Sequence, residues 1–203
     1  MRKTALLPLS IAVLCGCGDP APTASTGARP AQTAPGLASA ASADDRDHKD
    51  NENSEDIENA KDNKDLATLR EATARFHRYD VAKQAGYTFL FMNMCMEDNS
   101  PAMAGGMGKH YVNTSLLDAN LDVARPEALL YEPGSNGQLK LVGVEYVIPK
   151  AAWTSDQPPR LFGRDLKLNK FDLWALHVWA WKNNPSGLYA DWNPRVSCAN
   201  AAP

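Results

Sequence analysis

The sequence predicts an α+β fold, with an N-terminal helix packed on a mostly antiparallel sheet in a single compact domain. Three observations predict it. Leu66, Leu69, Thr73 and Phe76 recur at the three- and four-residue spacing of a helix face. Ala128–Tyr131 and Leu139–Ile148 are apolar runs joined by a turn that contains Asn136-Gly137, the strongest short hairpin signal. A third apolar and aromatic run, Trp174–Trp181, is short and bounded by Asn183-Asn184-Pro185-Ser186-Gly187, which favours a strand.

The first element in chain order is an address. Arg2 and Lys3 precede an apolar stretch from Ala5 to Leu14, interrupted by Pro8. It is far shorter than the ~20 residues a spanning helix needs, so it reads as a secretion signal. The stretch ends in Leu14-Cys15-Gly16-Cys17, which resembles the bacterial lipobox. Cys15 at the second position before the cut departs from the pattern but is small enough to fit. The resemblance implies a lipoprotein signal peptide over 1–16 and acylation of Cys17 as the new N-terminus. That makes a lipid-anchored protein of the bacterial cell envelope, on the periplasmic face of a membrane, the outer one in preference. The alternative is an ordinary secretory signal cut nearby.

Residues 17–65 read as a disordered tether. The first part, 18–43, is almost entirely Ala, Pro, Thr, Ser and Gly, with no apolar periodicity to bury. Residues 44–65 hold ten acidic side chains against four basic ones, a local charge of −6. Such a block is expected to stay solvated, His48 with it. It lacks the glycine at the sixth position of an EF-hand loop, which argues against calcium.

The remainder, 66–203, is the folded domain. It contains all five Trp, all six Tyr and all five Phe. The chain of 203 residues has a net charge of −3, with none of the basic excess of a general nucleic-acid-binding domain. Asp65 is placed to cap a helix from Leu66, and Gly86 to stop it. Tyr87–Met94 reads as extended, 97–108 as loop, and His110–Asn113 as a short strand. Pro194 and its Asn-rich flanks predict an irregular C-terminal segment.

Several segments of this domain are similar to a family of secreted bacterial proteins without an assigned activity. They are Gly106-Met107-Gly108-Lys109-His110-Tyr111-Val112-Asn113, Leu141-Val142-Gly143-Val144-Glu145-Tyr146, His177-Val178-Trp179-Ala180-Trp181, Asn184-Pro185-Ser186-Gly187 and Asn193-Pro194-Arg195-Val196-Ser197-Cys198. The resemblance covers about residues 66–198. It implies one compact exported domain and supplies no ligand or catalytic residue.

Chemistry must then come from the side chains. Cys95 and Cys198 are the cysteines left in an exported domain, where disulfides persist, so they are expected to pair. Three histidines lie in the domain, His77, His110 and His177. Glu145 sits within a strand candidate, on a face with Leu141, Gly143 and Val147, where an unpaired carboxylate is costly to bury. Gly143 is expected to leave room beside it. His177 is in the same position on Leu173, Ala175, Trp179 and Trp181. The expected site is therefore His110, Glu145 and His177, with His77 close by. Two or three imidazoles and a carboxylate suit a divalent transition metal such as zinc or copper, with an open position. A hydrogen-bonded His–Glu network without metal is the alternative.

Met92, Met94 and Met96 alternate and offer soft thioethers for copper, or core packing. Five tryptophans offer a ligand cleft, or core. Neither Gly-x-Ser-x-Gly nor a phosphate loop is present. Three functional readings follow: an anchored module that binds a metal ion or small ligand, a metal-dependent hydrolase or oxygenase using His110, Glu145 and His177, and a structural or interaction lipoprotein with no metal. All three reach the membrane through the N-terminal lipid, and none involves nucleic acid.

Overall fold

The computed structural model describes residues 44–201, with side chains placed from residue 59 onward. The signal, Cys17 and the tether over 17–43 lie outside the described residues.

Helix α1 spans Asp44–Thr73. It starts well before Leu66, so the acidic stretch 44–65 lies within it and Asp65 is not its cap. The Asp65 carboxylate instead accepts from Lys61 one turn back, at 2.6 Å. Opposite charges four residues apart share a helix face, which supports helix in a stretch without apolar periodicity. The apolar face reads as expected: Leu69 and Thr73 are fully buried and Phe76 nearly so.

The expected continuous helix to Gly86 is three pieces. The Thr73 hydroxyl donates to the Leu69 carbonyl at 2.7 Å, a back-bond that bends helices. A 3-10 turn over Ala74–His77 follows, Arg78 is extended, and α2 covers Tyr79–Gln84. Gly86 does stop α2. It adopts φ +99°, and the Tyr87 N–H donates back to the Ala82 carbonyl.

Eight strands follow: β1 Phe89–Glu97, β2 Gly106–Val112, β3 Ala128–Pro133, β4 Leu139–Pro149, β5 Arg160–Leu161, β6 Arg164–Asp165, β7 Lys167–Leu168 and β8 Leu173–Val178. Six form one antiparallel sheet in the order β1-β2-β3-β4-β8-β7, and β5 pairs with β6 alone. The α+β class and the β3–β4 hairpin agree with the sequence reading. Strands β5 to β7 have two residues each, too short to carry any periodicity.

The two sheet faces do different jobs. The helical pieces pack on one face through Leu69, Phe76, Tyr131, Val144, Tyr146 and Leu176. Buried tyrosines there are hydrogen-bonded: Tyr131 donates to the Phe76 carbonyl at 2.6 Å and Tyr87 to the Pro126 carbonyl at 2.8 Å. The other face carries a smaller core of Leu130, Val142, Trp179 and Val196, and beside it a cavity.

A bulge sets which residues face the cavity. Leu130 pairs with Gly143 but Tyr131 pairs with Leu141, so Val142 is the extra residue of β4. The simple alternation places Leu141 with Gly143 and Glu145, but the bulge turns Leu141 to the helix face, where it joins the main core. The sheet also curls. Phe91 on edge strand β1 meets Phe171, in the loop between β7 and β8, edge to face with ring centroids 5.2 Å apart.

The C-terminal segment is irregular, as expected, and firmly tied. Cys95 on β1 and Cys198 form a disulfide with Cα atoms 5.7 Å apart. The Cys198 N–H donates to Glu97. Lys182 Nζ reaches both Glu132 carboxylate oxygens, at 2.6 and 2.7 Å, and Glu132 also accepts from the Ser197 N–H.

Candidate metal centre

Two neighbouring strands and one further across place the site. Glu145 on β4 and His177 on β8 are direct antiparallel partners, so their side chains share a face. His110 on β2 is separated from β4 by β3. On β3, Glu145 pairs with Ala128 and His110 with Leu130, two residues apart on one face, so the imidazole and the carboxylate share that face and meet diagonally. Gly108 prepares His110. It adopts φ +86°, and a Cβ there would lie 2.6 Å from the Tyr131 carbonyl oxygen. Only glycine permits that approach of β2 to β3.

The functional atoms converge. His110 Nε2 and His177 Nε2 are 3.4 Å apart. Glu145 Oε2 is 3.7 Å from His110 Nε2, and Oε1 is 3.6 Å from His177 Nε2. Ligand atoms about 2.0–2.1 Å from a tetrahedral ion lie roughly 3.3–3.4 Å from one another. The two Glu145 distances use different carboxylate oxygens; with one ligand atom taken from each residue, the three atoms lie within 4.8 Å of one another, a looser triangle than one face of that tetrahedron but one centred on a common point.

The electrostatics favour a cation. Burial pushes His110 down to about 3, with His177 beside it adding to the shift and the Gly108 backbone opposing it. Burial, and then Lys167, lowers His177 to about 4. Both imidazoles are thus neutral, the form that binds metal. Burial first, then Glu127 and Asp191, raises Glu145 to about 8. A metal cation offsets the cost of ionising Glu145. The two inward Nε2 atoms at 3.4 Å cannot both carry a proton toward each other: with one proton between them they hydrogen-bond, and with both protons on Nδ1 the two lone pairs face a common point. His110 Nδ1 is buried without a hydrogen-bond partner among the described residues, so no acceptor there selects its tautomer.

The cluster forms part of the wall of a cavity of about 520 Å³, otherwise mostly apolar. Phe89, Phe91, Val147, Phe171 and Leu173 contribute, and Lys167, Lys170 and Asp191 are its charged wall residues besides Glu145. Three protein ligands leave at least one coordination position for a further group.

His77 does not join. It is exposed and packs edge-on against Trp181, ring centroids 4.4 Å apart, at the helix face of the sheet. It ends the 3-10 turn beside Phe76, whose burial aims the turn at the main core. The room expected at Gly143 is also absent: a Cβ there would meet the Val178 carbonyl at 2.8 Å, so this glycine serves the approach of β8. The methionines do not form a shared stripe. Met92 and Asn93 adopt φ +53° and +52°, which breaks the alternation; Met92, Met94 and Met103 are exposed, and Met96 and Met107 line the cavity. The tryptophans scatter, with Trp179 in the smaller core, Trp181 donating to Thr73, and Trp192 at the cavity. The phenylalanines were the unread signal. Phe89 and Phe91 alternate on β1, but Phe171 arrives from a loop that no periodicity marks.

The chain matches no protein-family model, no curated protein and no solved structure, so the reading of this site rests on its own geometry.

Proposed function

We propose that this domain binds one divalent transition metal ion on His110, Glu145 and His177 and presents its open position to a small ligand in the adjoining cavity. The observation that carries the reading is the convergence of one ligand atom from each of His110, Glu145 and His177, all within 4.8 Å of one another, at a wall of the cavity. Zinc suits two imidazoles and a carboxylate with an open fourth position; copper(II) accepts the same nitrogens and oxygen. The lipobox-like Leu14-Cys15-Gly16-Cys17 supports an anchored protein of the cell envelope, tethered through Cys17. No helix among the described residues is long and apolar enough to cross a membrane.

A second reading is catalysis at the same position, as a metal-dependent hydrolase or oxygenase. The observation favouring it is that the open position faces a cavity in the size range of small-molecule sites, ~300–1,000 Å³. Metal analysis by mass spectrometry on the full chain, purified without a histidine tag, tests the metal. About one zinc or copper per chain, lost in His110→Ala and in His177→Ala, is the expected result. Less than a tenth of an equivalent after incubation with either metal and desalting rules the reading out.

A further inference from the structure

We infer that the open coordination position takes the anionic head of an amphiphile, a carboxylate carried on a hydrocarbon body. This rests on the metal reading above and adds what the metal binds. The argument begins with charge. Two neutral imidazoles and one carboxylate around a dication leave one net positive charge beside an apolar cavity. A buried net charge is costly, and one further anionic ligand cancels it. A neutral ligand does not.

The cavity describes the rest of the molecule. Its wall is dominated by hydrocarbon: Phe89, Phe91, Val147, Phe171, Leu173 and Leu168. No charged wall residue other than Glu145 comes from the strands β2, β3 or β4 that hold the centre of the sheet; Lys167, Lys170 and Asp191 belong to β7 and the outer loops. Those three carry one net positive charge. Lys167 is paired with Asp191 at 3.1 Å, and Lys170 Nζ lies 5.2 Å from the Phe171 ring centroid. An incoming anion meets attraction rather than repulsion there.

The entrance is apolar too. Phe89 is 52 % exposed and Leu168 is 41 % exposed, and both line the cavity. Large hydrophobic residues half in water and half in a cavity wall suit a ligand whose body is hydrocarbon. Sugars and nucleotides need convergent hydrogen-bond donors and acceptors along their length. Asn169 is the one uncharged amide of the wall, and its side chain accepts from the Phe171 and Leu173 N–H groups.

The test uses the full chain with Cys17→Ser, which has no acyl group and needs no detergent, loaded with cobalt(II) as a spectroscopic stand-in. Acetate, octanoate and octanol are titrated while the visible cobalt bands are recorded. Acetate has the head without the body, and octanol the body without an anionic head. Each buried methylene adds roughly fourfold, so octanoate is expected to shift the bands at a concentration at least a hundredfold below acetate. Octanol is expected to leave them unchanged at the octanoate concentration. Phe171→Ala, which removes a wall ring that contributes no ligand atom, is expected to reduce the octanoate advantage at least fivefold with cobalt content unchanged. Equal affinity for acetate and octanoate, or bands that no carboxylate shifts, overturns the amphiphile while the metal reading stands. A chain that holds no cobalt overturns both.

Discussion

Glu145 and His177 face each other across β4 and β8 as direct antiparallel partners, and the carboxylate oxygen Oε1 lies 3.6 Å from Nε2 of the imidazole. Neither group gains much from the other while both are neutral. Burial lowers the imidazole and raises the carboxyl, so each is held in the form least able to make an ion pair. An arrangement that is poor for folding and well formed for a cation is a mark of a binding site.

Glu145→Gln separates the two roles. The substitution keeps the shape and removes the negative charge. Metal affinity is expected to fall by more than the ~10–100-fold typical of losing an outer-shell group, since a direct ligand is lost. In chelator at pH 9, the metal-free variant is expected to melt no lower than the parent, because a buried carboxylate has been neutralised. Metal content and a thermal melt read both. A variant that retains metal and melts well below the parent contradicts the assignment.

Gly108→Ala probes the support of His110. The φ of +86° and a Cβ 2.6 Å from the Tyr131 carbonyl oxygen leave no place for the methyl group. A loss of roughly 2–3 kcal/mol is expected in urea unfolding, together with weaker metal binding. A loss under 0.5 kcal/mol would show that β2 can shift freely.

Glu127 gives the domain a pH signature. It is 2 % exposed and accepts from the Val147 N–H at 2.9 Å. Burial, its largest influence, raises it from 4.5 to about 7 against that hydrogen bond. Below the unfolded value it is neutral in both states and costs nothing. Between there and about 7 the unfolded chain ionises first, so stability is lost as pH rises through the folded value. The loss between pH 4.5 and 8 is on the order of 3 kcal/mol for this group. Glu127→Gln keeps an acceptor for Val147, and its stability is expected to fall less over that interval by about that amount. Parallel curves for parent and variant in chelator would count against it.

Removing the disulfide isolates the C-terminal segment. Cys95 and Cys198 are 103 residues apart in sequence, a long loop to close. Cys95→Ser with Cys198→Ser is expected to lower stability by roughly 2–5 kcal/mol and to speed proteolysis after Asn193. Unchanged proteolysis would mean that the Glu132–Lys182 clamp holds the segment alone.

Cys17→Ser tests the anchor. The parent is expected in the membrane fraction and the variant in the soluble envelope fraction, because multiple acyl chains, at ~0.8 kcal/mol per buried methylene, hold a protein almost permanently. Equal membrane fractions for the two would reject acylation at Cys17.

Much of the fold was legible because it is local. A turn with Asn136-Gly137 between apolar runs makes a hairpin wherever it occurs, and spacing at Leu69, Thr73 and Phe76 marks a helix face. Helix boundaries were less legible. Nothing in the spacing shows that α1 reaches back to Asp44, or that the Thr73 back-bond and extended Arg78 break it. The cysteine pairing followed from number alone, since two cysteines in the domain allow one bridge.

The site was half legible. The sequence by itself identified Glu145 and His177 as polar groups in apolar strands, and His110 as a residue after a glycine-rich loop. That much follows from the cost of burying a charge or imidazole without a partner. Which of them meet was decided by tertiary structure. Strand order puts β8 beside β4, register sets Glu145 opposite His177, and the bulge at Val142 sends Leu141 to the other face. His77, equally polar and equally near an apolar face, ended on the helix side of the sheet. Pairing over long sequence separations has no trace in residue spacing, because the choice is made by packing between elements and not by propensity within them. The curl that brings Phe91 against Phe171 belongs to the same class, and it is the curl that makes a cavity of an open sheet face.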